Sequence, residues 1–147
     1  MPSPNTDFSV GQLYTSVAAN QFPRGIMAVS YRTTVFFPDA TERDYLTVTF
    51  TAVANRNYRY TMYAGGADAD ASRTLTIKLT DNSNVVLNGT GMTITGGELR
   101  LVSHMTVRTE SAGTITRKIR MITSGGNGSM NSASNIGVFM VEDMGPS

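Results

Sequence analysis

Apolar and polar residues alternate along most of the chain, and this pattern predicts β-strands. In YLTVTFTAV, from Tyr45 to Val53, the residues Leu46, Val48 and Phe50 fall on one side and threonines on the other. A period of two is that of a strand with one buried face. Related patterns predict strands at 24–37, 57–65, 73–80, 85–87, 98–110, 114–123 and 136–144, and no segment has a convincing helical period.

Turn-forming residues interrupt these strands. Clusters such as DNSN at 81–84 and SGGNGS at 124–129 break the alternation about every 8 to 12 residues, which is typical of a sandwich. We therefore predict an all-β fold, an antiparallel β-sandwich of jelly-roll type with about eight strands, over residues 21–147. Residues 1–20 are weakly patterned and contain two prolines, so we expect an arm or linker there.

The clearest predicted unit is a hairpin of 98–110 and 114–123, joined by SAG with Gly113 in the left-handed position. The strands at 45–53 and 57–65 are likewise expected to pair with each other. In the hairpin register, one face is expected to be buried and to carry apolar side chains from both strands: Leu99, Leu101, Met105, Val107, Ile115, Ile119 and Met121.

The opposite face of that hairpin is expected to point outward and to be basic. It would carry His104 and four cations: Arg100, Arg108, Lys118 and Arg120. Such a face is either the solvated side of a half-buried sheet or a contact for phosphates, an anionic glycan or acidic groups of a partner subunit. We favour the solvated interpretation over nucleic acid. Arg117 falls on the apolar side, so we expect it to reach the rim or to pair with an acidic residue such as Glu110.

Composition and charge limit the classes of protein to which the chain can belong. The chain has 147 residues, net charge +1, 16% charged residues, 20 threonines and no cysteine. The length fits one domain, the charge gives no field that would attract nucleic acid or an anionic membrane, and the missing cysteines exclude disulfides and thiolate metal sites. No apolar run approaches the roughly 18 residues of a membrane span, so we expect neither a span nor a secretory signal.

Candidate chemistry is sparse. His104 is the sole histidine, no nucleophile motif accompanies it, and the loop pair Asp68 and Asp70 lacks the other ligands of a calcium loop. We therefore predict no catalytic, cofactor-binding or metal-binding residues and no enzymatic activity. Alternation places Tyr58 and Tyr60 on one side of the strand and Tyr63 on the other, so any aromatic surface for binding sugars is small. The Asn-Gly pairs at Asn88 and Asn127 are interpreted as turns, not glycosylation sites.

Four segments, NRNYRYTMYAGG, TLTIKLTDNSNVVL, TRKIRMITSGGNGSM and SNIGVFMVEDMGP, resemble a family of small β-sandwich proteins from tailed phages that infect actinobacteria. Its members are minor tail proteins and head-decoration or fibre domains, and the resemblance covers roughly residues 20–146. It implies a jelly-roll-like sandwich in the virion, usually a homotrimer. The expected function is a structural siphovirus protein, a minor tail protein near the tail tip. The alternatives are capsid decoration and a module that binds host cell-wall glycan.

The last predicted strand is apolar on both sides, with Val138 and Met140 on one side and Phe139 and Val141 on the other. In a lone sandwich only one side of a strand faces the core. We therefore expect a subunit interface at the C-terminal strand with acidic residues at its rim. The residues in this hypothesis are Val138, Phe139, Met140, Val141, Glu142 and Asp143.

Overall fold

The computed structural model describes residues 23–69, 71–97, 100–125, 128–130 and 136–147, so the expected arm at 1–20 lies outside the described residues. Within these ranges every regular element is a strand, and no helix occurs. The strands are β1 (Gly25–Arg32), β2 (Arg43–Ala52), β3 (Arg56–Ala69), β4 (Arg73–Asp81), β5 (Val86–Ile94), β6 (Arg100–Glu110), β7 (Gly113–Thr123), β8 (Gly128–Ser129) and β9 (Gly137–Pro146).

The strands form two antiparallel sheets. One has the order β1-β9-β3-β6, with the two-residue β8 pairing with the end of β3, and the other has the order β2-β7-β4-β5. From β1 to β4 the chain changes sheet at every connection, and β4 and β5 form a hairpin. Eight long strands arranged in this way make the two Greek keys of a jelly roll. The predicted fold class is confirmed.

The core lies between the two sheets and follows the alternation in the sequence. Buried side chains come from alternate positions of each strand, as the pattern predicts for β2, β3 and β4. They include Leu46, Val48, Phe50, Tyr58, Tyr60, Met62, Leu75, Ile77, Leu79, Phe139 and Val141. The predicted inward faces of β2, β3 and β4 are confirmed, whereas the sequence selects no inward side for β9.

The predicted pairing of consecutive strands is wrong in two places. β6 pairs with β3, whereas β7 lies in the other sheet between β2 and β4, so 98–123 is not a hairpin. Gly113 has the expected positive φ, of 126°, but the turn before it crosses from one sheet to the other. β2 and β3 are also in different sheets. Alternation indicates which side of a strand is buried, but it carries no information about the neighbouring strand.

The two predicted turns around β5 differ in outcome. The turn at 81–84 is confirmed: the Asp81 carboxylate accepts hydrogen bonds from the backbone N–H groups of Ser83 and Val85, and Asn84 has φ of 66°. The predicted turn at Asn88 is wrong, because β5 continues through it as far as Ile94. Gly89 pairs with Lys78 there, and a Cβ at Gly89 would lie 3.3 Å from the Ile77 carbonyl oxygen.

The C-terminal strand is central in its sheet. β9 lies between β1 and β3, and the Ser147 N–H extends this connection by donating to the Asn55 carbonyl at 2.9 Å. Phe139 and Val141 face the core, and Val138 and Met140 are half-buried on the opposite face. The C-terminal strand therefore contributes Phe139 and Val141 to the core.

Candidate functional site

The outer face of the four-stranded sheet is polar. Its side chains include the threonines of β2 and β7, of which Thr49 and Thr116 hydrogen-bond across the strands at 3.0 Å. Arg120 pairs with Asp44 at 2.7 Å and with Glu42 at 2.6 Å, and Lys118 pairs with Asp44 at 3.3 Å. Lys118 and Arg120 therefore point outward as predicted, and each has acidic partners on the same face. This is the ordinary solvated side of an antiparallel sheet.

Strand β6 has the reverse arrangement. Its apolar side chains point away from the core: Leu101 is 70% exposed, Met105 65% and Val107 53%. Val102, His104 and Glu110 are the buried members of the strand. The predicted inward face is therefore wrong for 100–110, and Leu99 lies outside the described residues. The side of β6 with the stronger apolar pattern is the side that the described residues leave uncovered.

Glu110, an inward polar residue of β6, has partners from the rest of the sandwich. Tyr60 donates a hydrogen bond to Glu110 at 2.6 Å, and Arg117 of β7 donates to the same carboxylate at 3.1 Å and makes a second contact through its other nitrogen. The predicted pairing of Arg117 with Glu110 is confirmed. Burial, followed by the hydrogen bond to Glu110, raises the pKa of the Tyr60 hydroxyl well above its usual value. These hydrogen bonds offset the free-energy cost of burying the Glu110 carboxylate on the core side of the strand.

His104 and Arg108 complete the inward side of β6. Arg108 is half-buried and donates to the Leu87 carbonyl oxygen of β5 at 3.2 Å. His104 lies opposite Met62 and is only 6% exposed, and burial lowers its pKa. Its Nε2 has no hydrogen-bond partner among the described residues. The predicted outward position of His104 is therefore wrong.

The four predicted cations do not form one basic face. Lys118 and Arg120 lie on the outer side of the four-stranded sheet, whereas Arg108 belongs to the inward side of a strand in the other sheet. Arg100 is exposed at the start of that same strand. The single face required for an extended anionic ligand is therefore absent from this arrangement, because β6 and β7 do not pair.

The outward residues of β6 continue into a larger surface across β3, β9 and β1. Pairing aligns Met105 with Thr61, Met140 and Val29 in one row, and Tyr63 with Val138 and Tyr31 in the next. Tyr31 is 66% exposed and Tyr63 46%. We call this surface the apolar outer face and define it by nine residues: Ile26, Val29, Tyr31, Tyr63, Leu101, Met105, Val107, Val138 and Met140.

The predicted C-terminal interface is divided between this face and the core. Val138 and Met140 belong to the apolar outer face, but Phe139 and Val141 are fully buried inside the chain and cannot line an interface. Asp143 is also buried, where it accepts hydrogen bonds from Arg56 at 2.7 and 2.8 Å. The expected position of Asp143 at an interface rim is therefore wrong.

Glu142 does lie on the outer side, and its partner is within the chain. Its carboxylate pairs with Arg59 of β3 at 2.8 Å, and both side chains are partly exposed. None of the nine residues that define the apolar outer face is charged, and the Arg59–Glu142 pair on the same side of the sheet joins two opposite charges.

Other candidates from the sequence give no second site. Tyr58 and Tyr60 pack in the core, as expected for that side of β3. Asp70, Asn127 and the side chain of Asp68 lie outside the described residues. In the described part of the chain, no three His, Asp or Glu side chains are grouped closely enough to hold a metal ion. None of its segments forms a helix that is long and apolar enough to cross a membrane.

Comparison with known proteins supports the fold. No protein-family model and no curated protein matches the sequence. Among solved structures, a chain from infectious bursal disease virus, Gx strain, is similar at 12% identity and a TM-score of 0.53 over 84% of this chain. The match covers 32% of the viral chain, so this protein spans about a third of its length.

Two further structures are similar over much of this chain at lower scores. A carbohydrate-binding module in complex with β-1,4-galactotriose is 12% identical, covers 89% of this chain and 98% of its own, and has a TM-score of 0.37. The enzymatically active domain of a bacteriophage CBA120 tailspike is 11% identical, covers 79% of this chain and 19% of its own, and has a TM-score of 0.31. Scores this low do not establish a common fold.

The fold and the two outer faces together define the class of protein. The chain is a jelly-roll β-sandwich with one polar, ion-paired outer face and one apolar outer face. Jelly rolls are found in viral capsid, lectin and cupin domains, so the fold by itself does not select a function. The apolar outer face is the feature that requires a functional explanation.

Proposed function

We propose that the protein is a structural component of a tailed bacteriophage virion, a minor tail protein near the tail tip that assembles as a homo-oligomer. The observation that carries this proposal is the orientation of β6, which exposes Leu101, Met105 and Val107 and buries Glu110 and His104. A protein that worked as a lone sandwich would gain stability from the opposite orientation. The proposal assigns the chain no catalytic activity.

The size of the exposed apolar surface supports assembly. Burying a large apolar side chain completely is worth about 1.5–3 kcal/mol, so covering the exposed fractions of Leu101, Met105 and Val107 is worth about 3–6 kcal/mol in total. Contiguous apolar patches of this kind on soluble proteins mark interaction sites. The viral chain of similar fold is consistent with a virion component, although a likeness of fold alone does not carry function.

Immunogold electron microscopy of purified phage particles, with particle mass spectrometry, tests the location. We expect label at the tail end and peptides of this chain in the particle. Even label over the head would instead make the protein a capsid decoration protein, the alternative that uses the same apolar outer face. Particles without label and without peptides would contradict a virion role.

Binding of host cell-wall glycan is the second candidate, and the position of two tyrosines favours it. Tyr31 and Tyr63 lie in one row on either side of Val138, two strand spacings or about 10 Å apart, and both rings are exposed. Exposed aromatic rings are suited to stacking on sugar rings. We expect Tyr63→Ala to reduce binding to purified cell wall if this function is present, with Thr51→Ala on the polar outer face as the control. Absence of binding by the unmodified protein would exclude it.

A further inference from the structure

We infer that the apolar outer face is covered by a second copy of this chain, with the exposed side chains of β6 inside the contact. This inference rests on the proposed function, for which it specifies both the partner and the surface. The interface then lies away from the buried residues of the C-terminal strand. Leu101, Met105 and Val107, which the sequence assigns to the core, become part of the contact.

The area of the face matches what a stable contact between subunits needs. Four strands about 4.8 Å apart and roughly ten residues long, at about 3.3 Å per residue, cover about 19 by 33 Å, or about 630 Å². A standard protein interface buries about 800 Å² on each partner, with a range of roughly 600–1,000 Å². Two such sheets can pack face to face at about 10 Å, as the two layers of a sandwich do. A whole sheet face is therefore large enough, without further contacts, to hold a second sheet face.

The charge distribution suits a second copy. Two copies that meet through the same surface bring like charges together, so an unpaired charge on that surface would repel itself. None of the nine residues that define the apolar outer face is charged, and Arg59 and Glu142 on the same side of the sheet pair with each other at 2.8 Å. The polar outer face is different, because Lys78, Lys118 and Arg120 there exceed the acidic partners Glu42 and Asp44 by one charge. A copy of the chain therefore fits the apolar outer face better than the polar one.

The absence of cysteine from the sequence allows a direct test. Met105→Cys places a single thiol within the proposed contact, and Thr51→Cys places one at an outward, exposed position of β2 as the matched control. Both positions lie on edge strands, one in each sheet. The full-length variants are diluted from micromolar to nanomolar concentration, and the rate of maleimide labelling is measured at each step. Sedimentation of the unmodified protein gives the assembled mass.

We expect Met105→Cys to label about tenfold more slowly once nine-tenths of the chains are assembled, because only the free fraction reacts. The Thr51→Cys rate should stay constant, and the mass of the unmodified protein should fall on dilution from a multiple of 15.8 kDa toward 15.8 kDa. A second variant, Met105→Glu, should reduce the assembled fraction at least tenfold, because it places a charge in an apolar contact.

Two results would overturn the inference. Slow labelling of Met105→Cys at every concentration, with a mass of 15.8 kDa, would mean that residues 1–22 of the same chain cover the face. Fast labelling at every concentration, with a mass of 15.8 kDa, would mean that no second copy covers it. In that second case, immunogold label at the tail would retain the virion role and identify a different virion protein as the occupant. The two proposals can therefore fail separately.

Discussion

Truncating one methionine on each side of the five-stranded sheet tests the orientation of β6. Met62 on β3 is fully buried in the core, and Met105 on β6 is 65% exposed on the apolar outer face. The two positions are close neighbours, because Met62 pairs with His104 and Met105 pairs with Thr61. Met62→Ala and Met105→Ala thus remove the same atoms from adjacent strands on opposite sides of one sheet.

The two variants should lose clearly different amounts of unfolding free energy. Met62→Ala leaves a cavity in the core and should lower the free energy of unfolding by about 2–5 kcal/mol. Met105→Ala should change it by no more than about 0.5 kcal/mol in an isolated chain, as is usual for surface positions. If a second copy covers the face, Met105→Ala should also lose about 1–2 kcal/mol at high protein concentration, which is the exposed fraction of a full burial energy.

Urea denaturation followed by circular dichroism and tyrosine fluorescence measures both variants, since the chain has six tyrosines and no tryptophan. Each transition is recorded at several protein concentrations, and the free energy is obtained by linear extrapolation. Equal losses for Met105→Ala and Met62→Ala at the lowest concentration would refute the reasoning. They would mean that Met105 is a core residue of the single chain.

Three further predictions concern the charged and titratable groups. Asp143→Ala should cost about 3–5 kcal/mol in the same urea assay, because it removes the carboxylate that pairs with the buried Arg56. Arg56→Met combined with Asp143→Leu should recover most of that loss, and a cost below about 1 kcal/mol for Asp143→Ala would contradict the buried pair. Because burial lowers the pKa of His104 in the folded protein, the unfolded chain takes up the proton first, so stability should fall as pH drops below about 6.5, by at most about 1.4 kcal/mol per pH unit. His104→Gln should remove that part of the slope, and an unchanged pH profile would count against the burial. Arg120→Ala should cost at most about 1 kcal/mol at low salt and less at high salt, in contrast to Asp143→Ala.

The sequence predicted strand positions and most inward faces because each depends on local information. In β2 and β4 the apolar residues recur at every second position between threonines, and the buried side is the apolar side. The C-terminal strand was harder, since it is apolar on both sides. Its inner side is apolar because β9 lies in the middle of its sheet, between β1 and β3, and packs on the core. Its other side is apolar because it forms part of the apolar outer face.

Strand partners were not predictable in the same way. A short turn after an alternating strand suggests a hairpin, and SAG at 111–113 fits that pattern. In this jelly roll the same short turn joins β6 to β7 across the two layers, so its residues do not distinguish a hairpin from a crossing. The buried pairing of Glu110 with Arg117 was nevertheless correct, because either geometry brings the two ends of the turn together.

The orientation of β6 is the point at which local prediction and structure differ most, and the difference has a physical meaning. Alternation at Leu101, Met105 and Val107 correctly indicates a side that favours removal from water, but it does not specify whether the same chain removes it. The opposite side carries Glu110, which needs Tyr60 and Arg117 to satisfy it in the core. A chain that uses its polar side inward and supplies partners for it keeps its apolar side available for another molecule. The apparent error of the pattern is therefore itself an argument for assembly.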